Sequence, residues 1–137
     1  MGAWSHLPFG NDTANDWAYE LEDASDLSVI EAALTRVLDA GDDYLEAPEA
    51  EEAVAAIEVL AHLLGRPTNS DSYTEKVQAW VAQVKLKPNP ALLNKARQAL
   101  QRIVGEDSEL AELWAESDEA EDWQASMAQL REALVAA

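Results

Sequence analysis

The chain contains no cysteine, which excludes disulfide bonds, thiolate metal sites and a cysteine nucleophile. No apolar run approaches the roughly 20 residues that a membrane-spanning helix needs. The beginning of the chain also lacks a basic stretch followed by an apolar one, the pattern of a secretory signal. The five glycines are isolated, so no glycine-rich loop could cradle a phosphate. These absences predict a cytoplasmic protein.

Basic residues are scarce, with nine lysines and arginines against 27 acids and a formal net charge of −18. This charge opposes binding to nucleic acids, whose phosphates attract basic residues, and to anionic membrane surfaces. It would steer a basic partner toward the protein. An acidic, alanine-rich composition also arises from a host's genome or salt habitat, so both explanations stay open.

Most of the bases fall in one segment, the basic strip from Lys76 to Arg102, which contains no acid. Its members are Lys76, Lys85, Lys87, Lys95, Arg97 and Arg102. The strip can neutralise acidic faces of the same fold, dock a second copy of the chain, or hold an anionic ligand. We favour the first alternative, because a small fold brings its charged faces close together.

Apolar residues recur with the helical period throughout the chain, and no run alternates like a strand. The 137 residues predict an all-α fold, a compact single-domain helical bundle of about six or seven short helices. Residues 1–10 are expected to form a packed N-terminal extension and residues 66–72 a flexible loop. The first predicted helix begins at 11 or 12, the second spans 25–28 to 40, and the third spans 48–64. The fourth begins at 72, the fifth spans 90–105, the sixth spans 108–116, and the last begins near 118.

Several local patterns refine this prediction. The alanine-rich third helix can be approached closely by its neighbours, so it is placed at the centre. Ser28 and Glu31 have the spacing of a capping box at the start of the second helix. Trp80, Trp114 and Trp123 fall at core-facing positions and are predicted to be buried.

A carboxylate metal site near the N-terminus is one candidate for chemistry. Asp12, Asp16 and Glu20 repeat every four residues, so a helix would align them on one face. With His6 folded nearby, they could bind a divalent cation. We favour the alternative in which Asp12 caps the helix, Asp16 supports its first turns and Glu20 is solvated, since acids collect at helix starts.

Glu58 and His62 lie one helical turn apart. Di-iron bundles use a Glu-x-x-His spacing that is repeated on a second helix. The spacing here differs and has no second copy, so His62 is predicted to lie at the helix surface or to be lightly buried.

The beginning of the chain is rich in aromatic and short polar residues. The motif consists of Trp4, Phe9, Asn11, Asp12, Asp16 and Trp17. We expect Trp4 to tuck under the bundle and anchor the terminus. The alternative is that Trp4 lines an exposed recognition patch with Phe9 and Trp17.

These residues carry a resemblance to a known family. Met-Gly-x-Trp at 1–4 and Phe-x-Asn-Asp-x-Ala-x-Asp-Trp at 9–17 resemble the opening of a bacterial family, domain-of-unknown-function family 4259. The resemblance continues through Tyr44-Leu45 and the alanine-rich third helix to Gly65-x-Pro67. It implies no activity, cofactor or partner.

Because no catalytic set is assembled in the sequence, we expect a non-enzymatic protein–protein interaction or regulatory module that binds a basic partner and needs no cofactor. Small acidic proteins that neutralise basic toxins offer an analogy at the level of fold alone. The alternative function is a carboxylate-based divalent-metal-binding protein or hydrolase with its site near the N-terminus. A third possibility is self-association through the Lys76–Arg102 strip.

Overall fold

The computed structural model describes residues 6–70 and 74–135, the last of these by its backbone alone. The helices are α1 (Asp12–Glu22), α2 (Ser28–Asp39), α3 (Ala47–Leu63), α4 (Glu75–Val84), α5 (Pro90–Val104), α6 (Glu109–Ala115) and α7 (Ala120–Val135). The described ranges contain no strand, so the predicted all-α bundle is confirmed. No helix in these ranges is long and apolar enough to cross a membrane.

The central place predicted for the third helix is confirmed, since α3 contacts each of the other six helices. It is buried around nearly its whole circumference, which is typical of a core helix. The fully buried small side chains are those of Ala50, Ala53, Ala55, Ala56 and Ala61. Because they are so short, the neighbouring helices approach the α3 backbone closely.

Asparagine side chains cap two of the helices: Asn11 is the N-cap of α1, so the expected cap by Asp12 is wrong, and Asn89 is the N-cap of α5. Oδ1 of Asn11 accepts a 2.7 Å hydrogen bond from the N–H of Ala14, and Oδ1 of Asn89 accepts one of 2.8 Å from the N–H of Leu92. Each bond satisfies a backbone donor that the first turn leaves without a helical partner.

The capping box predicted for α2 is wrong in its register. Leu27 holds the N-cap position and makes no side-chain cap bond, and Ser28 is the first helical residue. Oδ1 of Asp26 accepts from both the N–H (3.0 Å) and the hydroxyl (2.6 Å) of Ser28. The ionised carboxylate is a stronger acceptor than the serine hydroxyl, and the same two bonds lower the pKa of Asp26.

The tryptophan prediction is confirmed for Trp80 and Trp123, which are 4% and 5% exposed. Nε1 of Trp80 donates a 2.9 Å hydrogen bond to the carbonyl of Ala24, which joins α4 to the segment after α1. Trp114 is only half-buried and packs against the edge of the core.

The opening motif is packed down where the structure describes it. Phe9 and Trp17 are each 1% exposed, so neither ring is available for an exposed patch. The amide of Asn15 donates a 2.9 Å hydrogen bond to the carbonyl of Phe9, which ties the segment to α1. Trp4 lies outside the described residues.

Arg102 joins two loops at one end of the bundle. Its guanidinium donates to the carbonyl oxygens of Gly41 (3.1 Å) and Asp43 (2.7 Å) in the loop before α3. It also donates to those of Glu106 (2.8 Å) and Asp107 (3.2 Å) in the loop after α5. A planar fork with five donors can hold several backbone acceptors at once, and the ammonium of a lysine cannot.

The same two loops pair through their backbones. Leu45 and Ser108 form an isolated parallel bridge. The N–H of Leu45 donates to the carbonyl of Asp107 (2.8 Å), and the N–H of Glu109 donates to that of Leu45 (2.9 Å). The bridge fixes the start of α6 against the start of α3.

Candidate functional site

A groove of about 1330 Å³ runs between α5 and α7, with α6 as its third wall. Its lining residues are Asn94, Arg97, Gln98, Leu100, Gln101, Val104, Ala111, Glu112, Ala115, Trp123, Gln124, Met127, Ala128, Arg131 and Glu132.

The floor of the groove is apolar and its rim is polar. Leu100, Trp123 and Met127 form the floor and belong to the hydrophobic core. Val104 stands at the side of the groove and is 45% exposed, which is unusual for an aliphatic side chain. Ala128 lies at the surface of α7, where its short side chain leaves the floor accessible.

The two ends of the groove carry opposite charge. At the basic end, Arg97 from the middle of α5 lies with Arg131 and Glu132 from the last turns of α7. Nη1 of Arg97 donates a 3.2 Å hydrogen bond to the carbonyl of Leu134, which fixes this side chain beside the end of α7.

At the acidic end, Glu112 of α6 lines the groove. The chain from 109 to 122 contains no base. Its acids are Glu109, Glu112, Glu116, Asp118, Glu119, Glu121 and Asp122. Glu112 is the member of this set that lines the groove, so the groove has a carboxylate at this end and the guanidinium groups of Arg97 and Arg131 at the other.

Tyr44 holds Glu112 in position at the acidic end. Its hydroxyl donates a 2.9 Å hydrogen bond to Oε1 of Glu112. This bond, together with burial of the phenol and the nearby acids, raises the pKa of Tyr44 to about 12. The hydrogen bond to the carboxylate favours the protonated phenol, which is the donor in this contact.

A buried polar network surrounds Glu58, which is completely buried in α3. Its carboxylate accepts hydrogen bonds from the N–H (2.9 Å) and hydroxyl (2.5 Å) of Thr68 and from the N–H of Asn69 (2.8 Å). Nε2 of His62 lies 3.0 Å from the carboxylate and 3.1 Å from the carbonyl of Asn69. Both neighbours are acceptors, so Nε2 carries the proton. His62 has a side chain only 5% exposed.

The basic strip makes contacts within the chain. Nζ of Lys76 lies 4.1 Å from the centre of the Tyr19 ring, and Nζ of Lys95 lies 3.4 Å from a carboxylate oxygen of Glu31. The guanidinium of Arg102 donates hydrogen bonds to the two loops described above. Of these contacts, the Lys95–Glu31 ion pair is the one made with an acid. Neutralisation of acidic faces, docking of a second copy and binding of an anionic ligand all stay predictions.

His6 is the member of the predicted metal set that belongs to a group of three potential ligands among the described residues. Its Nδ1 lies 3.3 Å from Oε1 of Glu119. One ligand atom each from His6, Glu119 and Asp122 lies within 4.8 Å of the others. Three donors at this separation could share one divalent cation, which needs about 2.0–2.6 Å to each.

Asp12, Asp16 and Glu20 are exposed along α1. They take part in no group of three potential ligands among the described residues. The sequence spacing aligns them on one helical face, but the N-terminal segment carries His6 toward α7 instead. The acids that it meets are more than a hundred residues away in the chain, and helical periodicity gives no information at that distance.

Glu51 is half-buried on α3, near His6 and Trp114, where the three border a small cavity of about 10 Å³. Burial raises the pKa of Glu51, and a hydrogen bond with Thr13 acts in the opposite direction. The cavity is only about large enough for one water molecule.

The sequence did not reveal the groove, because its walls come from three helices whose relative placement no local pattern specifies. A partial signal exists at Val104 and Ala128, which fall on the solvent side of their helices yet are apolar. Arg97 and Arg131 are 34 positions apart in the sequence, and no local pattern indicates that they meet at one end of the groove.

No curated protein and no solved structure matches the chain. The resemblance drawn from the opening residues is confirmed and extends well past the third helix. A family model described as Domain of unknown function (DUF4259) matches residues 2–126, and the chain belongs to this family.

Proposed function

We propose that the protein is a non-enzymatic binding module that docks a segment of a basic partner protein in the groove between α5, α6 and α7. The groove itself carries this proposal. Its volume of about 1330 Å³ exceeds the roughly 300–1,000 Å³ of ordinary small-molecule pockets. An open, elongated, apolar-floored channel of this size suits a stretch of polypeptide.

The net charge of −18 supports a basic partner. The summed field of the acids accelerates encounter with a positively charged protein and becomes weaker as salt screens it. The apolar floor then supplies the short-range attraction that holds the complex, and the charged rim supplies specificity. We place this binding in the cytoplasm.

The Glu58–His62 pair is the arrangement that comes nearest to a catalytic dyad, and its surroundings favour a structural role. The side chains are 0% and 5% exposed. The carboxylate already accepts from Thr68 and Asn69, so a substrate would have to displace bonds that hold the fold. This supports a binding module over a hydrolase.

Capture of proteins from a lysate of the native host tests the proposal. Ala128→Lys places a long side chain in the groove, while Gln129→Lys adds the same charge at an exposed residue that does not line it. We expect the wild type and Gln129→Lys to capture the same basic protein, with retention falling as salt rises. Ala128→Lys should lose it. Equal capture by the two lysine variants would contradict docking in the groove.

A divalent-cation site is the second candidate function, because the structure brings His6, Glu119 and Asp122 together. Calorimetric titration with Mn²⁺ and Zn²⁺ tests it, with melting temperature as a second readout. Asp122→Asn should abolish any heat of binding, and Glu121→Gln should leave it unchanged. Absence of heat with the wild type would remove this candidate.

A further inference from the structure

The geometry points to one kind of occupant for the groove: we propose that the docked segment is a short amphipathic helix with basic residues in its first half and acidic residues in its last turn. In this arrangement the helix begins at the acidic end, beside Glu112, and finishes at the basic end, beside Arg97 and Arg131. This inference rests on the proposed function and specifies its partner.

The dimensions of the groove suit a helix. Along α7 the lining runs from Trp123 to Glu132, ten residues whose nine steps span about 14 Å at 1.5 Å per residue. An occupying helix of the same length has about two and a half turns. Trp123, Met127 and Arg131 repeat every four residues and form one ridge of α7, against which a second helix packs by placing its own side chains in the adjoining hollows.

The charge along the groove fixes the direction. A helix carries partial positive charge at its N-terminus and partial negative charge at its C-terminus. The N-terminus is therefore favoured beside Glu112, and the C-terminus beside Arg97 and Arg131. The docked helix then runs alongside α7 in the same direction, since α7 begins at the acidic end and finishes at the basic end.

The same charges select side chains of the partner. Lysine or arginine in its first half meets Glu112, the acid that lines this end of the groove. Aspartate or glutamate in its last turn meets Arg131, whose exposed side chain makes no hydrogen bond or ion pair with the described residues. Glu132 lies at the same end and favours a single acid there over several.

Such a segment is a poor helix when it is free. Basic residues in the first turn and acidic residues in the last oppose its own macrodipole. The groove supplies the opposite charges that compensate for this, so the segment gains helix on binding. A segment with the reverse charge order is the better helix in isolation and the worse fit to the groove.

A pair of synthetic peptides tests the proposal. Both peptides have about 12 residues, the same composition and the same leucine positions. One carries its lysines in the first half and its glutamates in the last turn, and the other has these positions exchanged. Binding is measured by calorimetry at low salt, and helix content by circular dichroism. We expect the lysine-first peptide to bind at least about tenfold more tightly and to gain helicity. Arg131→Glu should remove this preference, and Lys87→Glu, the same charge change away from the groove, should retain it.

Three results would overturn the inference. Equal binding of both peptides, blocked in each case by Ala128→Lys, would leave the groove as a docking site and refute the proposed direction and charge order. Preference for the glutamate-first peptide would refute them likewise. If neither peptide binds, a helical occupant is refuted, and the capture experiment with Ala128→Lys decides separately whether the groove binds a partner at all.

Discussion

The backbone N–H of Asn69 donates a 2.8 Å hydrogen bond to Oε2 of Glu58, and both residues are buried. Oδ1 of the same asparagine accepts a 3.0 Å hydrogen bond from the N–H of Phe9. The central helix, the loop after it and the N-terminal segment are thereby joined through one residue. A carboxylate buried inside α3 thus joins two irregular segments to the central helix.

Replacing this carboxylate should destabilise the fold. Glu58→Gln keeps the volume of the side chain but replaces one carboxylate oxygen with an amide N–H₂, which is itself a donor. Some of the buried N–H groups that bond to the carboxylate would then have no acceptor. We expect the free energy of unfolding to fall by about 3 kcal/mol. Chemical denaturation measures this, with Glu20→Gln on the exposed side of α1 as the control, expected within about 0.5 kcal/mol of wild type. A loss equal to that of the control would show that the network contributes nothing to stability.

Arg102 should act through the shape of its guanidinium as well as through its charge. Arg102→Lys retains the charge but cannot reach four carbonyls in two loops, so we expect a loss of about 1–2 kcal/mol. Arg36 forms only a surface salt bridge with Glu52, and Arg36→Lys should change stability by less than about 0.5 kcal/mol. If both arginine variants behave alike, the joining of the loops is not a stabilising feature.

Phe9 should contribute far more to the stability of the fold than its place near the terminus suggests. The ring is 1% exposed, and Phe9→Ala is expected to lower the free energy of unfolding by about 3–4 kcal/mol through lost burial and the cavity left behind. Leu113, which is 55% exposed, provides the contrast, since Leu113→Ala should have little effect. A small loss at Phe9 would mean that the N-terminal segment detaches easily from the bundle.

At pH values just above the ordinary pKa of a glutamate, ionisation of Glu51 should lower the stability of the protein as the pH rises. Its pKa is raised in the folded state by burial, so the native protein binds more protons than the unfolded chain in that window. Glu51→Gln removes this titration and should raise the melting temperature at neutral pH. Thermal melts from pH 4 to 8 measure it, and a lowered melting temperature at neutral pH would show that the charged form is stabilised instead.

Helices were predictable from this sequence because their signals are local. Apolar residues at spacings of three and four, asparagine before α1 and α5, and glycine or proline at the joints are each set by a few neighbouring residues. The central place of α3 followed from its small side chains. The predicted cap of α2 was wrong because the helix begins with Ser28 itself: the Ser28 hydroxyl donates to Asp26, and the N–H of Glu31 donates to the carbonyl of Leu27.

The features that concern function depend on contacts between distant segments. The groove exists because α5, α6 and α7 diverge, and the bridge between Leu45 and Ser108 helps to set where α6 lies. The acids beside His6 are in α7 and the turn before it, and the partners of Glu58 are in the following loop. Sequence spacing identified Glu58 and His62 as neighbours. It could not show that Thr68 and Asn69 donate hydrogen bonds to the Glu58 carboxylate.

The central claim is that the groove binds a partner, and the methyl group of Met127 on its floor reports on this most directly. The sequence contains only two methionines, so ¹³C-methyl labelling gives a spectrum of two signals that Met127→Leu assigns. On addition of the captured partner to saturation, we predict that the Met127 signal shifts and broadens in the wild type and in Gln129→Lys. An unchanged Met127 signal in a saturated complex would contradict the account.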